Sequence, residues 1–155
     1  MRYLGDLQGR CRCTLEQVHR YKNRLSGPLL DRVDMHIEVP RLPAKVLTDL
    51  EVKSSETSES VRKRIGKVRQ LQLARQHKIN SALGAKELDQ YCQLKDCDRE
   101  FLSTAIKQLG LSARAYHRVL RLTRTIADLA TAEVTQSHHI TEALSYRTFD
   151  RQPRY

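Results

Sequence analysis

The strongest constraint on the fold is a set of three helical patterns in the C-terminal half of the chain, each marked by residues that begin or end a helix. The first spans residues 96–109 and stops at Gly110, which suits a left-handed C-cap. Ser112 then caps a second helix, predicted to continue to about residue 131, and Thr135 caps a third. The residues expected to face inward from the first and third helices are Phe101, Leu102, Ala105, Ile106, Ile140, Ala143 and Leu144. With a further short helix around residues 86–92, this pattern predicts a small helical bundle.

A polar, hydroxyl-rich stretch over residues 52–60 divides the chain and is predicted to be a linker between segments 1–51 and 61–155. The second segment opens with a basic helix from about residue 59 to 77. Its expected apolar face consists of Val61, Ile65, Val68 and Leu71. The surrounding Lys and Arg residues would either lie on DNA or simply be solvated.

The N-terminal segment carries two local signals. Thr14 and Gln17 have the spacing of a capping box, which predicts a helix to about residue 25. Its expected inner face consists of Leu15, Val18, Tyr21 and Leu25. The stretch 26–40 then predicts a capped turn followed by a half-buried strand, because Met35, Ile37 and Val39 alternate with His36 and Glu38 before Pro40. A short helix is expected to begin at Pro43 and continue through Leu50.

Arg32 lies where that predicted turn meets the predicted strand. The turn would hold it at a fixed edge of the fold. The simplest alternative is that Arg32 pairs with Asp31 or Asp34 on the surface.

A second group of arginines recurs along the helix that follows Ser112. Arg114, Arg118 and Arg121 are spaced i, i+4, i+7 and share one face, with Arg124 at its border. The opposite arc is filled by Ala115, Tyr116, Val119, Leu120, Leu122, Ile126, Ala127 and Ala130. Arg114 is the best candidate for binding an anion such as a phosphate, because it lies in the first turn, near the positive end of the helix. The alternative is that these arginines pair with Asp128, Glu133 or other acids. For Arg118 and Arg121 we prefer that alternative, whereas for Arg114 we favour the phosphate.

Composition limits the function classes. A chain of 155 residues has room for one modest domain with an extension, which excludes two full catalytic domains. Its net charge of +10 would attract either nucleotide phosphates or a nucleic-acid backbone. No apolar run reaches membrane length and no signal-peptide pattern opens the chain, so we expect no membrane partner and a cytoplasmic location.

Cysteine spacing offers one candidate metal site. Cys11 and Cys13 could supply half of a tetrahedral zinc site. Cys92 and Cys97 are most simply ordinary thiols.

Six separated motifs carry a family resemblance: residues 3–6, 10–14, 26–40, 111–118, 124–129 and 139–147. In this order they resemble the C-terminal part of magnesium-chelatase-like AAA+ ATPases, in particular the ComM/YifB group. The resemblance implies a mainly α fold, in which a partial AAA+ core remnant with short helices and one strand over residues 1–51 precedes a helical-bundle lid over 61–155.

The resemblance also implies roles. Arg32 would be the catalytic arginine finger that enters a neighbouring subunit's nucleotide site, and Arg114 the sensor-2 residue that reaches the γ-phosphate of ATP. The parent protein would use ATP and Mg²⁺, form a hexameric ring of identical subunits and act on branched or single-stranded DNA. In the family a second cysteine pair completes a Zn²⁺ knuckle, but Met1 and Arg2 stand at that position here, so we do not expect this chain to hold zinc.

The chain departs from the family pattern in one respect. It has no GxxxxGK[ST] phosphate loop and no acidic Mg²⁺-binding strand, and its one Gly-Lys pair, Gly66-Lys67, falls inside a helical pattern. By itself it should therefore not hydrolyse ATP, and it would be incomplete without an upstream phosphate-loop half. The alternatives are a non-catalytic DNA-binding module, built on helix 59–77 and the tail 151–155, and a fragment of a true magnesium-chelatase ATPase subunit.

Overall fold

The computed structural model describes residues 13–22, 24, 29, 32–37, 39 and 56–147, and this part of the chain is mainly helical. The helices are α1 (Leu15–Lys22), α2 (Ser58–Gln76), a 3-10 helix (Asn80–Ala82), α3 (Ala85–Tyr91), α4 (Asp96–Gln108), α5 (Ala113–Leu129) and α6 (Ser137–Ser145). None of the helices described here is both long and apolar enough to cross a membrane.

Helix α5 is the centre of the bundle. It packs against α6, α2, the 3-10 helix and α3, while α4 packs against α6. The buried cluster consists of Leu83, Leu88, Cys92, Leu94, Leu102, Val119, Leu120, Ile126, Ile140, Ala143 and Leu144. Since a fully buried Leu or Ile contributes roughly 1.5–3 kcal/mol, this cluster is the main source of the domain's stability.

Most of the predicted helix ends are confirmed. The backbone N–H of Thr14 donates to Gln17 Oε1 at 3.1 Å and that of Gln17 to Thr14 Oγ1 at 3.3 Å, which closes the capping box. Ser112 Oγ accepts from the N–H of Ala115 at 3.2 Å, and Gly110 adopts φ +60° after α4. Local spacing alone therefore located these boundaries.

The prediction that Thr135 caps the last helix is wrong. The N-cap of α6 is Gln136, and Thr135 instead donates its hydroxyl to the carbonyl oxygen of Gln93 at 2.8 Å. The Thr135 side chain is buried, so it ties the loop before α6 to the loop before α4. A buried hydroxyl needs a partner, and the carbonyl of Gln93 supplies it.

Two predicted apolar faces were partly wrong. Phe101 is 43% exposed on α4, whereas Leu102 is fully buried. On α2, of the predicted face only Val68 is buried; Ile65 and Leu71 are exposed. The physical reason is that α2 contacts the bundle through its C-terminal half and with polar side chains, Gln72 and Gln76, in place of an apolar stripe. Its N-cap is Thr57, so the helix begins within the stretch predicted to be linker.

The N-terminal segment also differs from expectation. On the predicted inner face of α1, Val18 is buried, while Leu15 and Tyr21 are exposed. The predicted strand is absent from residues 35–37 and 39, and its burial is reversed: His36 is buried, and Ile37 and Val39 are exposed.

The predicted strand fails because the main chain at His36 bonds a helix end and not another strand. The N–H of His36 donates to the carbonyl of Tyr146, just after α6, at 2.7 Å, so this segment lies against a helix end. The predicted caps and stops at Leu25, Ser26 and Pro40, and the predicted helix 43–50, lie outside the described residues.

The start of α6 should make stability depend on pH. His139 Nδ1 accepts from the N–H of Gln136 at 3.0 Å, which requires a neutral ring. Burial, aided by His138 and Arg124, lowers the pKa of His139 below its ordinary value. The unfolded chain therefore binds the proton more readily, and stability should be full at neutral pH and fall as the pH drops below about 6.5.

We expect His139→Gln to flatten this dependence, because a glutamine oxygen can accept the same hydrogen bond without titrating. Urea unfolding at pH 7.5 and 5.5 measures the effect. His77→Gln, at an exposed histidine after α2, is the matched control and should keep the dependence. An unchanged pH dependence in His139→Gln would contradict the assignment.

Candidate functional site

A buried carboxylate joins α2, the 3-10 helix and α5. The side chain of Asp128 is fully buried. It accepts from Arg75 Nη1 at 2.6 Å and Nη2 at 3.0 Å, and from Arg124 Nε at 2.9 Å and Nη2 at 2.7 Å. Asn80 and Gln72 donate to it at 2.8 and 3.2 Å. Two cations and two amides thus converge on one acid.

The charge of Asp128 is held by this network. Burial alone would raise the pKa of Asp128, but the hydrogen bonds from Arg75, Asn80 and Arg124 outweigh it and lower that pKa. In turn, the hydrogen bond to Asp128 raises the pKa of Arg75. The cluster is closed and fully bonded, which is typical of a structural element rather than a ligand site.

Arg124, at the border of the predicted basic face, is bonded within the chain. Its side chain is only 5% exposed, and besides Asp128 it donates to the carbonyl oxygens of Ala132 and Glu133 at 2.7 and 2.8 Å. Because all these groups are within the chain, Arg124 is closed to a ligand. The alternative of pairing with Asp128 is confirmed for this residue.

The other members of the stripe are also engaged. Arg121 donates through Nε and Nη2 to the carbonyl of Leu83 at 3.1 and 2.7 Å, so it bonds a main-chain oxygen and not an acid. Arg118 pairs with Asp34, which confirms the preferred pairing with an acid, and also donates to the carbonyl of Arg32 at 2.5 Å. The preference for pairing with an acid is thus confirmed for Arg118 and wrong for Arg121.

Arg114 is the exception on this helix. It lies in the first turn of α5, is exposed, and has no hydrogen bond or ion pair with any residue that the structure describes. The N-cap Ser112 leaves it beside the positive end of the helix. Among the four arginines of the stripe, Arg114 is therefore the exposed one, with no partner among the described residues to give up before it binds an anion.

Arg32 is exposed as well. Its carbonyl is held by Arg118, and its N–H donates to the carbonyl of Leu29 at 3.0 Å, but its guanidinium pairs with no described acid. The alternative pairing with Asp34 is not found, because Asp34 pairs with Arg118. Asp31 lies outside the described residues.

Sequence reasoning missed Arg147. This residue is fully buried after α6, and its Nη1 donates to the carbonyl of Val33 at 2.8 Å. Arg147 entered the sequence predictions only as the last residue of the motif 139–147, with no role assigned to it. No local pattern could have found a contact between positions 114 residues apart.

The candidate metal half-site stays a prediction, because only one of its two cysteines is among the described residues. Cys13 is half-buried and Cys11 lies outside them. In that part of the chain, no three His, Cys, Asp or Glu residues come together to hold a metal ion. Burial raises the pKa of the Cys92 thiol to about 11, which makes it unreactive.

The donor set does fit phosphate oxygens. Arg32 and Arg114 offer two exposed guanidinium groups, each able to donate to two oxygens at once. Arg114 lies on α5, and the main chain at Arg32 is hydrogen-bonded to Arg118 of the same helix. Arg147, just after α6, bonds the next carbonyl, that of Val33.

This helical architecture matches the C-terminal helical lid of AAA+ proteins. The family described as "Magnesium chelatase, subunit ChlI C-terminal" matches residues 55–147, and "Magnesium chelatase, subunit ChlI" matches residues 2–47. The chain belongs to this magnesium-chelatase ChlI family, and it is of the ComM/YifB type.

Individual relatives support the subgroup. The chain is 48% identical over 140 residues to competence protein ComM of Haemophilus influenzae, which covers 90% of the chain and 27% of that protein. It is 43% identical over 148 residues to YifB of Escherichia coli, covering 95% of the chain and 29% of YifB. Rv2897c of Mycobacterium tuberculosis is 31% identical over 141 residues, covering 88% of the chain and 27% of that protein. The chain thus spans less than a third of the length of these relatives.

Proposed function

We propose that this chain is the arginine-finger and sensor-2 lid segment of a ComM-like AAA+ ATPase that acts on DNA. The observation that carries the proposal is the contrast among the arginines. Arg118, Arg121, Arg124 and Arg147 are engaged within the chain, whereas Arg32 and Arg114 are exposed and pair with no described acid. These two are the residues for which the resemblance implies contact with a triphosphate.

In this proposal the two arginines serve different nucleotides. Arg114 donates from the lid to the γ-phosphate bound by its own subunit. Arg32 enters the site of a neighbouring subunit in a homo-oligomeric ring, where its planar guanidinium stabilises the negative charge that grows on the transferring phosphoryl group. ATP and Mg²⁺ would be held by a phosphate loop and an acidic strand outside this chain, and the whole protein would work in the cytoplasm.

The sensor-2 role predicts a binding defect. In the full-length ATPase that contains this segment, Arg114→Ala should weaken ATP binding about 10- to 100-fold, because a hydrogen bond to a charged group contributes roughly 1.5–3 kcal/mol. Titration with a fluorescent ATP analogue, in the absence of DNA, measures the dissociation constant. Arg69→Ala, an exposed arginine on α2, is the matched control and should bind normally. An unchanged dissociation constant in Arg114→Ala would remove the sensor-2 assignment.

A second candidate function is direct binding of nucleic acid by α2. The first half of this helix, residues 58–67, has no buried residue and carries Arg62, Lys63, Arg64 and Lys67. Glu59 and Glu56 pair with Lys63 and Arg64, which reduces the net positive charge. Few aromatic side chains accompany the basic residues, so any binding would be weak and independent of base sequence.

A salt titration tests this candidate. The affinity of the isolated chain for single-stranded DNA should fall steeply as salt rises, with a slope that counts the phosphate contacts. Lys67→Glu should reduce that slope, whereas Lys107→Glu on α4 should not. Absence of binding at low salt would dismiss the candidate.

The magnesium-chelatase alternative shares the family but not the subgroup of the relatives matched at 43–48% identity.

A further inference from the structure

The main chain that follows Arg32 is attached to the helical bundle at several points. Arg118 Nη1 donates to the carbonyl of Arg32 at 2.5 Å and also bonds the carboxylate of Asp34. Arg147 Nη1 donates to the carbonyl of Val33 at 2.8 Å. The N–H of His36 donates to the carbonyl of Tyr146 at 2.7 Å. Residues 32–36 are therefore held by α5 and by the end of α6.

The two clamping arginines are themselves rigidly placed. Arg147 is fully buried and the side chain of Arg118 is only 17% exposed. A buried guanidinium that donates to a carbonyl is costly to displace, because both groups would lose a charge-assisted hydrogen bond. By contrast, the side chain of Arg32 lies in solvent. The main chain at Arg32 is therefore fixed, while its guanidinium is exposed to solvent.

We infer that Arg118 and Arg147 are positioning residues for Arg32, which hold the finger's main chain against the lid of the same subunit. This inference rests on the proposed function of Arg32 as an arginine finger. Its physical basis is preorganisation: a cation held in place before the reaction stabilises the transition state without the cost of ordering a loop. Arg118 lies one helical turn after Arg114 on α5. The residue proposed to contact the nucleotide of its own subunit and one of the residues that hold the finger are therefore on the same helix.

The clamp itself can be measured on the present chain by hydrogen exchange. The amide of His36 should be protected in the wild type, and Arg118→Ala should lower that protection about 10- to 100-fold. Asp34→Ala is a second variant for the case in which Arg118→Ala does not fold, since the Asp34 side chain is 62% exposed. Arg114→Ala, one turn away, is the matched control and should leave the His36 amide protected.

The catalytic consequence is tested by mixing subunits of the full-length ATPase. An Arg32→Ala subunit keeps its phosphate loop but lacks a finger. A donor subunit has its phosphate-loop lysine replaced but keeps its finger. Mixed rings should regain ATPase activity, because the donor's Arg32 completes the neighbour's site. A donor that also carries Arg118→Ala or Asp34→Ala should restore about 10- to 100-fold less activity. A donor that also carries Arg69→Ala, an exposed residue of α2, should restore activity fully.

These outcomes separate the two claims. If the unmodified donor fails to restore activity to Arg32→Ala, the finger assignment is wrong. If it succeeds and the Arg118→Ala and Asp34→Ala donors succeed equally, the finger assignment stands and the positioning role is wrong. Unchanged exchange at the His36 amide in both variants would also overturn the clamp.

Discussion

Asp128→Ala should destabilise the helical domain by about 3–5 kcal/mol, the usual cost of removing one partner from a buried ion pair. Arg75 and Arg124 would lose their shared acid, and Arg124, with a side chain 5% exposed, would remain charged in a closed site. Asn80 and Gln72 would also lose an acceptor. Since a domain of this size has a total stability of about 5–15 kcal/mol, the loss should be large in a urea unfolding curve.

Matched variants make this result specific. Asp89→Ala removes an exposed acid from α3 and should change stability by less than about 0.5 kcal/mol. A double-mutant cycle between Asp128 and Arg75 should show strong coupling, because the pair is joined by two hydrogen bonds. A cost for Asp128→Ala as small as that for Asp89→Ala would mean that the buried cluster contributes nothing to the fold.

Arg32→Ala should abolish turnover in the full-length ATPase that contains this segment and leave ATP binding near normal. The expected loss is about 10³- to 10⁵-fold in kcat, the range found when an arginine finger is absent from related phosphoryl-transfer sites. The finger contacts charge that develops only in the transition state, so the ground-state affinity for ATP should change little. Steady-state hydrolysis and nucleotide titration measure the two quantities separately.

The chain provides a control for this experiment. Arg24→Ala removes another exposed arginine from the same N-terminal segment, and it should hydrolyse ATP at the normal rate. Arg32→Lys should recover only part of the activity, because lysine is a point charge and cannot bond two oxygens in one plane. Normal turnover in Arg32→Ala would remove the residue from the catalytic machinery.

Helix boundaries were predictable from the sequence where the signal is local. The capping box of Thr14 and Gln17, the cap at Ser112 and the turn at Gly110 each depend on residues within a few positions. Such hydrogen bonds form within a single turn of chain, so spacing alone determines them. Thr135 failed because the carbonyl of Gln93, 42 residues away, binds its hydroxyl.

The roles of the arginines were predictable only in part. Periodicity placed Arg114, Arg118 and Arg121 on one face of α5 but could not show what they contact. Arg124 is buried against Asp128, and the same acid also binds Arg75, which lies 53 residues earlier in the chain. Likewise, the alternation over residues 35–39 suggested a strand, whereas the main chain there bonds Tyr146. A strand needs a pairing partner, which the alternation of a single segment cannot supply.

The contacts of Arg118 and Arg147 with the segment after Arg32 go largely to main-chain oxygens, those of residues 32 and 33. Every amino acid carries the same carbonyl, so the side chain at position 33 can change without altering what Arg147 recognises. Val33 is exposed, which leaves that position open to substitution. Sequence divergence at position 33 should therefore be tolerated between homologues, whereas Arg118 and Arg147 should not be interchangeable with lysine.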